Sequence, residues 1–149
     1  MRIEAIKKMK KSKNNWFWNI IIFITVLLCI AAFLIHYKNW SKFEEGHFQV
    51  FSGVYKQRIL LSDVDSISFV EKIPKMERKS GFSWLAREKG VFKDSLTDTK
   101  TYVFVDDLHQ QKIRIVHHDS LKLFLNFTDS IQTKKTYEII KAELSTDVE

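Results

Sequence analysis

The feature that most constrains this chain is a run of 16 residues without a charged side chain, Ile20 to Ile35. Extended to Trp16 and Tyr37, the apolar segment covers 22 residues. As a helix it would be about 33 Å long at ~1.5 Å per residue, and the hydrocarbon core of a bilayer is roughly 30 Å thick. We therefore predict a transmembrane helix over residues 16–37. Its uncharged core comprises Ile20, Ile21, Ile22, Phe23, Ile24, Thr25, Val26, Leu27, Leu28, Cys29, Ile30, Ala31, Ala32, Phe33, Leu34 and Ile35.

The flanks of this segment favour a spanning helix over a buried core helix. Trp16, Trp18, Tyr37 and Trp40 lie at its two ends, and amphipathic aromatic rings prefer the headgroup zone of a bilayer. A core helix of a small domain normally has a polar stripe along one side. This segment has none, so we expect lipid around it.

Two kinds of cleavage are the alternatives to a permanent anchor. A signal peptide has a shorter apolar region, roughly 7 to 15 residues, followed by a small-x-small cleavage site, whereas His36 and Tyr37 follow this segment. Cys29 suggests a lipoprotein, but Leu28 precedes it where a small residue is required. Cys29 is also the only cysteine, so an intramolecular disulfide is excluded.

The distribution of charge orients the predicted helix. Residues 1–43 carry eight basic side chains and one acidic side chain, whereas the whole chain has a formal net charge of +6, so residues 44–149 are close to neutral. Six of the basic residues precede the apolar segment, and the positive-inside rule therefore places the N-terminus in the cytoplasm. We expect a single-pass protein of the cell (inner) membrane with an extracytoplasmic C-terminal domain. A nucleic-acid partner is not expected, because the basic excess lies outside the folded domain.

The remaining chain is long enough for one domain and has the pattern of many strands followed by one helix. Alternating or β-branched segments predict strands at His47 to Phe51, Tyr55 to Leu61, Asp65 to Val70 and Thr101 to Val105. Two further strands are predicted around Ile113 to Ile115 and from Leu121 to Phe127, with a turn at His118–Asp119–Ser120 between them.

A C-terminal helix is predicted from Ile131 to about Leu144. Thr128, Asp129 and Ser130 are all suitable N-caps. Tyr137, Ile140 and Leu144 recur at helical spacing and give the helix an apolar stripe. The predicted divisions are a basic tail at 1–15, the transmembrane helix at 16–37, a juxtamembrane linker at 38–46, the β domain with its closing helix at 47–144, and a frayed tail at 145–149.

The order of several short motifs resembles the bacterial pleckstrin-homology-like (PH-like) domains. These motifs are Asp65 to Ile67, Pro74, Gly81–Phe82, Gly90 to Phe92, Asn126–Phe127, Asp129, Thr133 and Tyr137, and the resemblance covers roughly Phe48 to Leu144. It implies an α+β fold, in which a mainly antiparallel split β-barrel is capped by the C-terminal helix. It also implies a binding or assembly module without catalysis.

The candidate partner or lipid surface lies within Lys72 to Lys93, where basic residues surround two aromatic residues. Cations would steer an acidic partner or an anionic membrane, and the rings would insert. The simpler alternative is that Phe82, Trp84 and Leu85 fold back onto the barrel while the charges are solvated. The candidate residues are Lys75, Arg78, Lys79, Phe82, Trp84, Arg87 and Lys89.

Other polar patterns have simpler explanations than a catalytic or metal site. His117 and His118 are neighbours on a predicted strand and would face opposite sides, which does not suit a metal. Asp63 with Asp65, and Asp106 with Asp107, fit turn and cap roles. The sequon that begins at Asn126 falls in a predicted strand and is interpreted as structural.

These patterns lead to a non-enzymatic membrane protein, for which we predict no cofactor, metal or small-molecule substrate. No nucleophile or phosphate-binding signature occurs in the sequence. The expected partners are the lipid bilayer and either a protein partner or a second copy of the chain. A membrane-anchored accessory or immunity-type protein of a bacterial toxin or secretion system is the alternative, and an enzyme with an unrecognised site is a third hypothesis.

Overall fold

The structure of the protein is a computed structural model that describes the backbone of residues 2–146 and the side chains of residues 15–146. It contains two compact units, Met1–Ile35 and His36–Glu149. The last part of the predicted frayed tail, residues 147–149, lies outside the described residues, and Ser145 and Thr146 belong to the C-terminal helix.

Helix α1 spans Arg2–Tyr37. The helix therefore includes residues 2–15 of the predicted basic tail, where Lys, Arg, Met, Ala and Glu all have high helix propensity. The segment Asn15–Tyr37 has 23 residues and a mean hydropathy of 2.7, and none of it is buried. Thr25 Oγ1 donates to Ile21 O at 2.9 Å, which satisfies its hydroxyl inside the helix. By length and composition, α1 can cross a membrane.

The second unit begins with a three-stranded antiparallel sheet, β1 (Asn39–Glu44), β2 (His47–Ser52) and β3 (Tyr55–Leu60). Strand β1 lies within the segment 38–46 that was predicted to be a juxtamembrane linker. Glu45 and Gly46 form a two-residue loop in which both have positive φ, 49° and 72°. That conformation is the favoured connection of a tight hairpin, and it pairs β1 with β2.

A 3₁₀ turn, η1 (Leu61–Asp63), leads into a second sheet of six strands. Its strands are β4 (Val64–Val70), β5 (Glu77–Trp84), β6 (Arg87–Lys93), β7 (Lys100–Val105), β8 (Lys112–His117) and β9 (Leu121–Asn126). The order across the sheet is β4-β8-β9-β7-β6-β5.

Pairing in the second sheet is antiparallel except between β7 and β9, which are parallel. The prediction of a mainly antiparallel α+β fold is therefore confirmed. The turn predicted at His118–Asp119–Ser120 connects β8 to β9, with positive φ at His118 and Asp119. Strands β5 and β6 make up most of the segment Lys72 to Lys93, which contains the candidate partner or lipid surface.

The C-terminal helix α2 spans Ser130–Thr146, close to the predicted range. Its N-cap is Asp129, whose Oδ1 accepts the Ile131 N–H at 2.9 Å. Tyr137 stacks on Phe69 of β4 with ring centroids 4.0 Å apart, and Ile140 is fully buried. The predicted apolar stripe of α2 is therefore the face that it packs against the sheet.

One hydrophobic core is shared by both sheets and α2. The small sheet contributes β2 and β3 side chains, the large sheet contributes β7, β8 and β9 side chains, and α2 contributes one residue. The fully buried members are Phe48, Val50, Ile59, Phe104, Ile113, Ile115, Leu123, Leu125, Phe127 and Ile140. A second cluster, Phe92, Val103, Val105 and Phe124, lies within the large sheet. Because the main core takes side chains from both sheets and from α2, we expect His36–Glu149 to unfold as one cooperative unit.

The loop between β6 and β7 gives a pH prediction. Asp94 accepts the Leu96 N–H at 2.9 Å and the Lys122 ammonium at 3.1 Å, and these hydrogen bonds lower its pKa from 3.8 to about 2. The unfolded chain therefore binds this proton at a higher pH than the folded chain does. The stabilisation by Asp94 is complete above pH 3.8 and is lost as the pH falls through about 2.

Thermal unfolding of the detergent-solubilised chain should thus show a smaller acid-induced drop in melting temperature for Asp94→Asn than for the wild type. The two proteins should be compared over the interval from above pH 3.8 down to about pH 2. If the melting temperatures of the two proteins fell equally with pH, the carboxylate of Asp94 would have no stabilising role. Asp119→Asn is the control in an exposed turn.

Candidate functional site

The residues of the predicted surface lie mainly on one hairpin. Lys75 is exposed in the loop between β4 and β5, and the other six residues belong to β5 or β6. Trp84 pairs with Arg87 across the two-residue loop Leu85–Ala86. The structure thus brings six of these seven residues together on the two strands of one hairpin.

Neighbouring acids neutralise part of the positive charge on this hairpin. Arg78 bonds to Ser83 Oγ and lies 3.1 Å from Glu88, and Lys79 lies 2.6 Å from Glu77. These pairs are solvent-exposed, and such pairs contribute little to stability. The hairpin is consequently less basic than the predicted surface.

Lys89 was predicted to belong to the exposed surface, but this is wrong, because its side chain is fully buried. Its Nζ lies 2.8 Å from Asp106 Oδ1, and the Asp106 side chain is buried as well. The strand register explains this position: Lys89 pairs with Phe104 of β7, and Asp106 follows the end of β7. An ammonium that is removed from water needs such a partner.

The cations of β6 also bind the end of α1. Lys89 Nζ donates to His36 O at 3.0 Å, and Arg87 Nε donates to Tyr37 O at 3.1 Å. The Arg87 guanidinium lies 4.1 Å from the centroid of the Tyr37 ring. The last carbonyls of a helix have no partner within the helix, and cations there satisfy them and complement the helix dipole. His36 and Tyr37 are thereby bound to β6 within the second unit.

Two buried asparagines extend this arrangement. The Asn39 backbone N–H donates to Asp106 Oδ2 at 2.9 Å, and Asn39 Nδ2 donates to Phe104 O at 2.6 Å and Asn126 O at 2.8 Å. Asn126 Oδ1 accepts the N–H groups of Asp106 and Asp107 at 2.8 and 3.1 Å. We call Lys89, Asp106, Asn39 and Asn126 the anchor cluster, since it fixes the chain directly after α1.

Burial has the largest effect on the pKa of Lys89 in the anchor cluster. It lowers the pKa of the Lys89 ammonium, while the hydrogen bond and charge of Asp106 act in the opposite direction. A second buried lysine, Lys112, donates to Glu71 O at 2.7 Å and Leu108 O at 2.5 Å, and burial lowers its pKa too. Both lysines therefore depend on acceptors within the protein instead of water.

The oxygens of Asp106 are occupied by groups of the protein. Oδ1 faces Lys89, and Oδ2 accepts the Asn39 N–H and, at 3.4 Å, the Thr128 hydroxyl. A cavity of about 150 Å³ adjoins the cluster and is also lined by Lys38 and Gln132. The cluster thus connects His36 and Asn39 to the large sheet within the second unit.

The turn of the β5–β6 hairpin differs from the simpler alternative given above. Trp84 is 50% exposed and Leu85 is 80% exposed, so neither folds back fully onto the sheets. Phe82 is half-buried, and its ring centroid lies 6.0 Å from that of His36. The apolar end of the hairpin is therefore exposed to solvent and close to His36.

The adjacent histidines contact each other. Their Nδ1 atoms are 2.8 Å apart, His118 Nε2 lies 3.2 Å from Asp63, and burial lowers the pKa of His117. Among the described residues, no group of three or more His, Cys, Asp or Glu side chains is arranged to hold a metal ion.

The sequence interpretation missed most of the anchor cluster. A turn role was predicted for both Asp106 and Asp107. It fits only Asp107, whose Oδ1 accepts the His109 N–H at 2.9 Å. Asn126 was assigned a structural role, and its complete burial agrees with that. The only sequence signal for Lys89 is its position between Glu88 and Gly90, and that does not distinguish a buried lysine from an exposed one.

Comparison with protein-family models, with curated proteins and with solved structures finds no match to this chain.

Proposed function

We propose that this protein is a non-enzymatic single-pass membrane protein, in which α1 crosses the bilayer and His36–Glu149 acts as a PH-like binding or assembly module at its surface. The observation that carries the proposal is the segment Asn15–Tyr37, which has 23 residues and a mean hydropathy of 2.7 and is not buried by the protein. Exposed leucine and phenylalanine side chains around a whole helix need lipid to cover them.

The short connection between helix and sheet supports a module that works close to the bilayer. Strand β1 begins at Asn39, two residues after the end of α1, and Asn39 is bound to Asp106. Two residues of extended chain reach only about 7 Å. A module held this close to the membrane meets membrane-bound partners, or a second copy of itself, at a raised effective concentration.

Three observations support the PH-like assignment and a barrel-like closure. The strands precede a single closing helix, the core is shared by both sheets, and Tyr55 Oη of edge strand β3 lies 3.4 Å from Ser80 Oγ of edge strand β5. The parallel pair β7–β9 is a local departure from an antiparallel barrel. The proposed role is binding or assembly, because the charges of the anchor cluster are used within the protein and the exposed Trp84 and Leu85 offer a contact surface.

The proposed orientation has a cytoplasmic N-terminus and an extracytoplasmic module. Its support is the excess of Lys and Arg before residue 15.

Alkaline carbonate extraction of membranes that contain the full chain tests whether α1 anchors the protein in the bilayer. We expect the wild-type protein to stay in the membrane pellet. Leu27→Arg/Ile30→Arg should lose membrane integration, because each arginine near the centre of a span costs about 3 kcal/mol on insertion scales. Leu96→Arg is the control, since Leu96 is 95% exposed in the second unit.

Release of the full-length wild-type chain by carbonate would refute the proposal that α1 anchors the protein in the membrane.

Protease added to intact spheroplasts tests the orientation, and we expect it to degrade the module. Protection of the module until the cells are lysed would reverse the proposed orientation.

A further inference from the structure

Several exposed apolar residues lie close to Tyr37, where the candidate span ends. They come from three separate places in the second unit: strand β1, the β2–β3 turn and the β5–β6 turn. Their exposed fractions are 64% for Trp40, 75% for Val54, 50% for Trp84 and 80% for Leu85. We call these four residues the apolar collar.

Contacts within the second unit place the collar beside His36 and Tyr37. Arg87, which pairs with Trp84 across the β5–β6 turn, bonds to Tyr37 O at 3.1 Å. Gly53 precedes Val54 and lies so close to His36 that a Cβ on it would come within 2.5 Å of the ring. Trp40 is three residues after Tyr37 and is therefore within about 10 Å of it along the chain.

The conformation of Leu85 is an independent reason to expect a ligand for this surface. Leu85 is the first residue of a two-residue loop and has a φ of +52°. Glycine is the usual residue at a positive φ in such loops, and a bulky side chain there is an outlier. A leucine that is both strained and exposed is unfavourable in water, but its apolar side chain would be favourable at a lipid surface.

We propose that the apolar collar inserts into the boundary between headgroups and acyl chains of the bilayer that α1 crosses. The inference rests on the proposed membrane anchor. Tryptophan prefers this zone, and leucine and valine gain by leaving water. The occupant is lipid because the collar is continuous with Tyr37, the last residue of the span. The collar gives the module a second attachment to the bilayer and restricts its orientation there.

Depth-dependent quenching tests the collar in the full-length chain. In a Cys29→Ser background, Val54→Cys, Leu85→Cys and Leu96→Cys each receive an environment-sensitive fluorophore. The proteins are reconstituted in phosphatidylcholine–phosphatidylglycerol vesicles with or without nitroxide-labelled lipid. Leu96 is the matched control, because it is 95% exposed and lies beyond the opposite end of β6 from Leu85, about 20 Å away at ~3.3 Å per residue.

We expect the labels at 54 and 85 to be quenched several-fold more by the nitroxide lipid than the label at 96. A fourth sample carries the fluorophore on native Cys29 and reports on the anchor. If the label at Cys29 is quenched but those at 54, 85 and 96 are equally and weakly quenched, the apolar collar does not insert into the bilayer. That outcome would leave the membrane anchoring by α1 intact. Absence of quenching at Cys29 would overturn both. A blue shift at 85 without lipid quenching would mean that protein covers the turn, which also overturns the inference.

Discussion

Lys89→Met is expected to lower the free energy of unfolding of the second unit by about 3–5 kcal/mol, the usual cost of breaking a buried ion pair. The substitution removes the ammonium that faces Asp106 Oδ1 at 2.8 Å and leaves that carboxylate buried without its cation. It also removes the hydrogen bond to His36 O. Denaturant unfolding of the detergent-solubilised chain, followed by tryptophan fluorescence, measures the effect.

The double variant Lys89→Met/Asp106→Asn separates burial of a lone charge from loss of packing. An asparagine at 106 still accepts the Asn39 N–H but carries no charge, so we expect the double variant to be more stable than Lys89→Met alone. Lys79→Met is the surface control, since its pair with Glu77 is exposed and such pairs contribute about 0–1 kcal/mol. Equal losses for Lys89→Met and Lys79→Met would contradict the role assigned to the anchor cluster.

Gly90→Ala is expected to destabilise the same unit by about 2–6 kcal/mol, as the combined cost of overpacking, about 1–3 kcal/mol, and of an unfavourable backbone conformation, about 1–3 kcal/mol. Gly90 has a φ of +153°, and a Cβ there would lie 2.1 Å from Ser80 O and 2.7 Å from Gly81 Cα. These are backbone atoms of the paired strand β5, so a side-chain rotation cannot relieve the overlap. Unfolding under the conditions used for Lys89→Met gives the value.

Gly46→Ala is the control that separates conformation from contact. Gly46 also has a positive φ, +72°, but nothing lies within 4 Å of a Cβ placed there. Its cost should be limited to the left-handed conformation of one residue, roughly 1–2 kcal/mol. If Gly90→Ala were no worse than Gly46→Ala, then β5 and β6 would not approach each other as closely as the structure shows.

The pairing of Gly81 with Gly90 explains why glycine occurs in two of the motifs on which the PH-like resemblance was based, Gly81–Phe82 and Gly90 to Phe92. The two glycines face each other across β5 and β6, and each would place a Cβ 2.1 Å from a carbonyl oxygen of the other strand. Glycine is therefore required at both positions for close approach of the backbones. The sequence showed the two glycines, but their pairing depends on the register of the hairpin.

Patterns that repeat over a few residues were predicted well. Strands β2, β3, β4, β7, β8 and β9 and helix α2 all lie within a few residues of their predicted positions. Alternation and helical spacing are local consequences of burying one face of an element. Strand β1 was missed because its residues are mostly exposed, and its pairing depends on the Glu45–Gly46 turn.

The hairpin of β5 and β6 shows why the candidate surface was only partly predicted. Seven of the eight residues of β5 are exposed, so no alternation of apolar residues marks the strand. Lys89 and Arg87 have the same sign and lie two residues apart, yet one is buried against Asp106 and the other contacts Tyr37. Partners from distant parts of the chain determine these environments.

By itself, the sequence determined that α1 is an apolar helix long enough to span a bilayer and that strands followed by one helix form the rest. Both conclusions depend on hydrophobicity and spacing along the chain, which need no knowledge of distant contacts. Only the folded chain shows that Lys89 is buried against Asp106, that strand β1 begins at Asn39, and that Trp40, Val54, Trp84 and Leu85 lie near His36 and Tyr37. The physical reason is that charge burial and surface clustering depend on strand register, which brings together residues tens of positions apart.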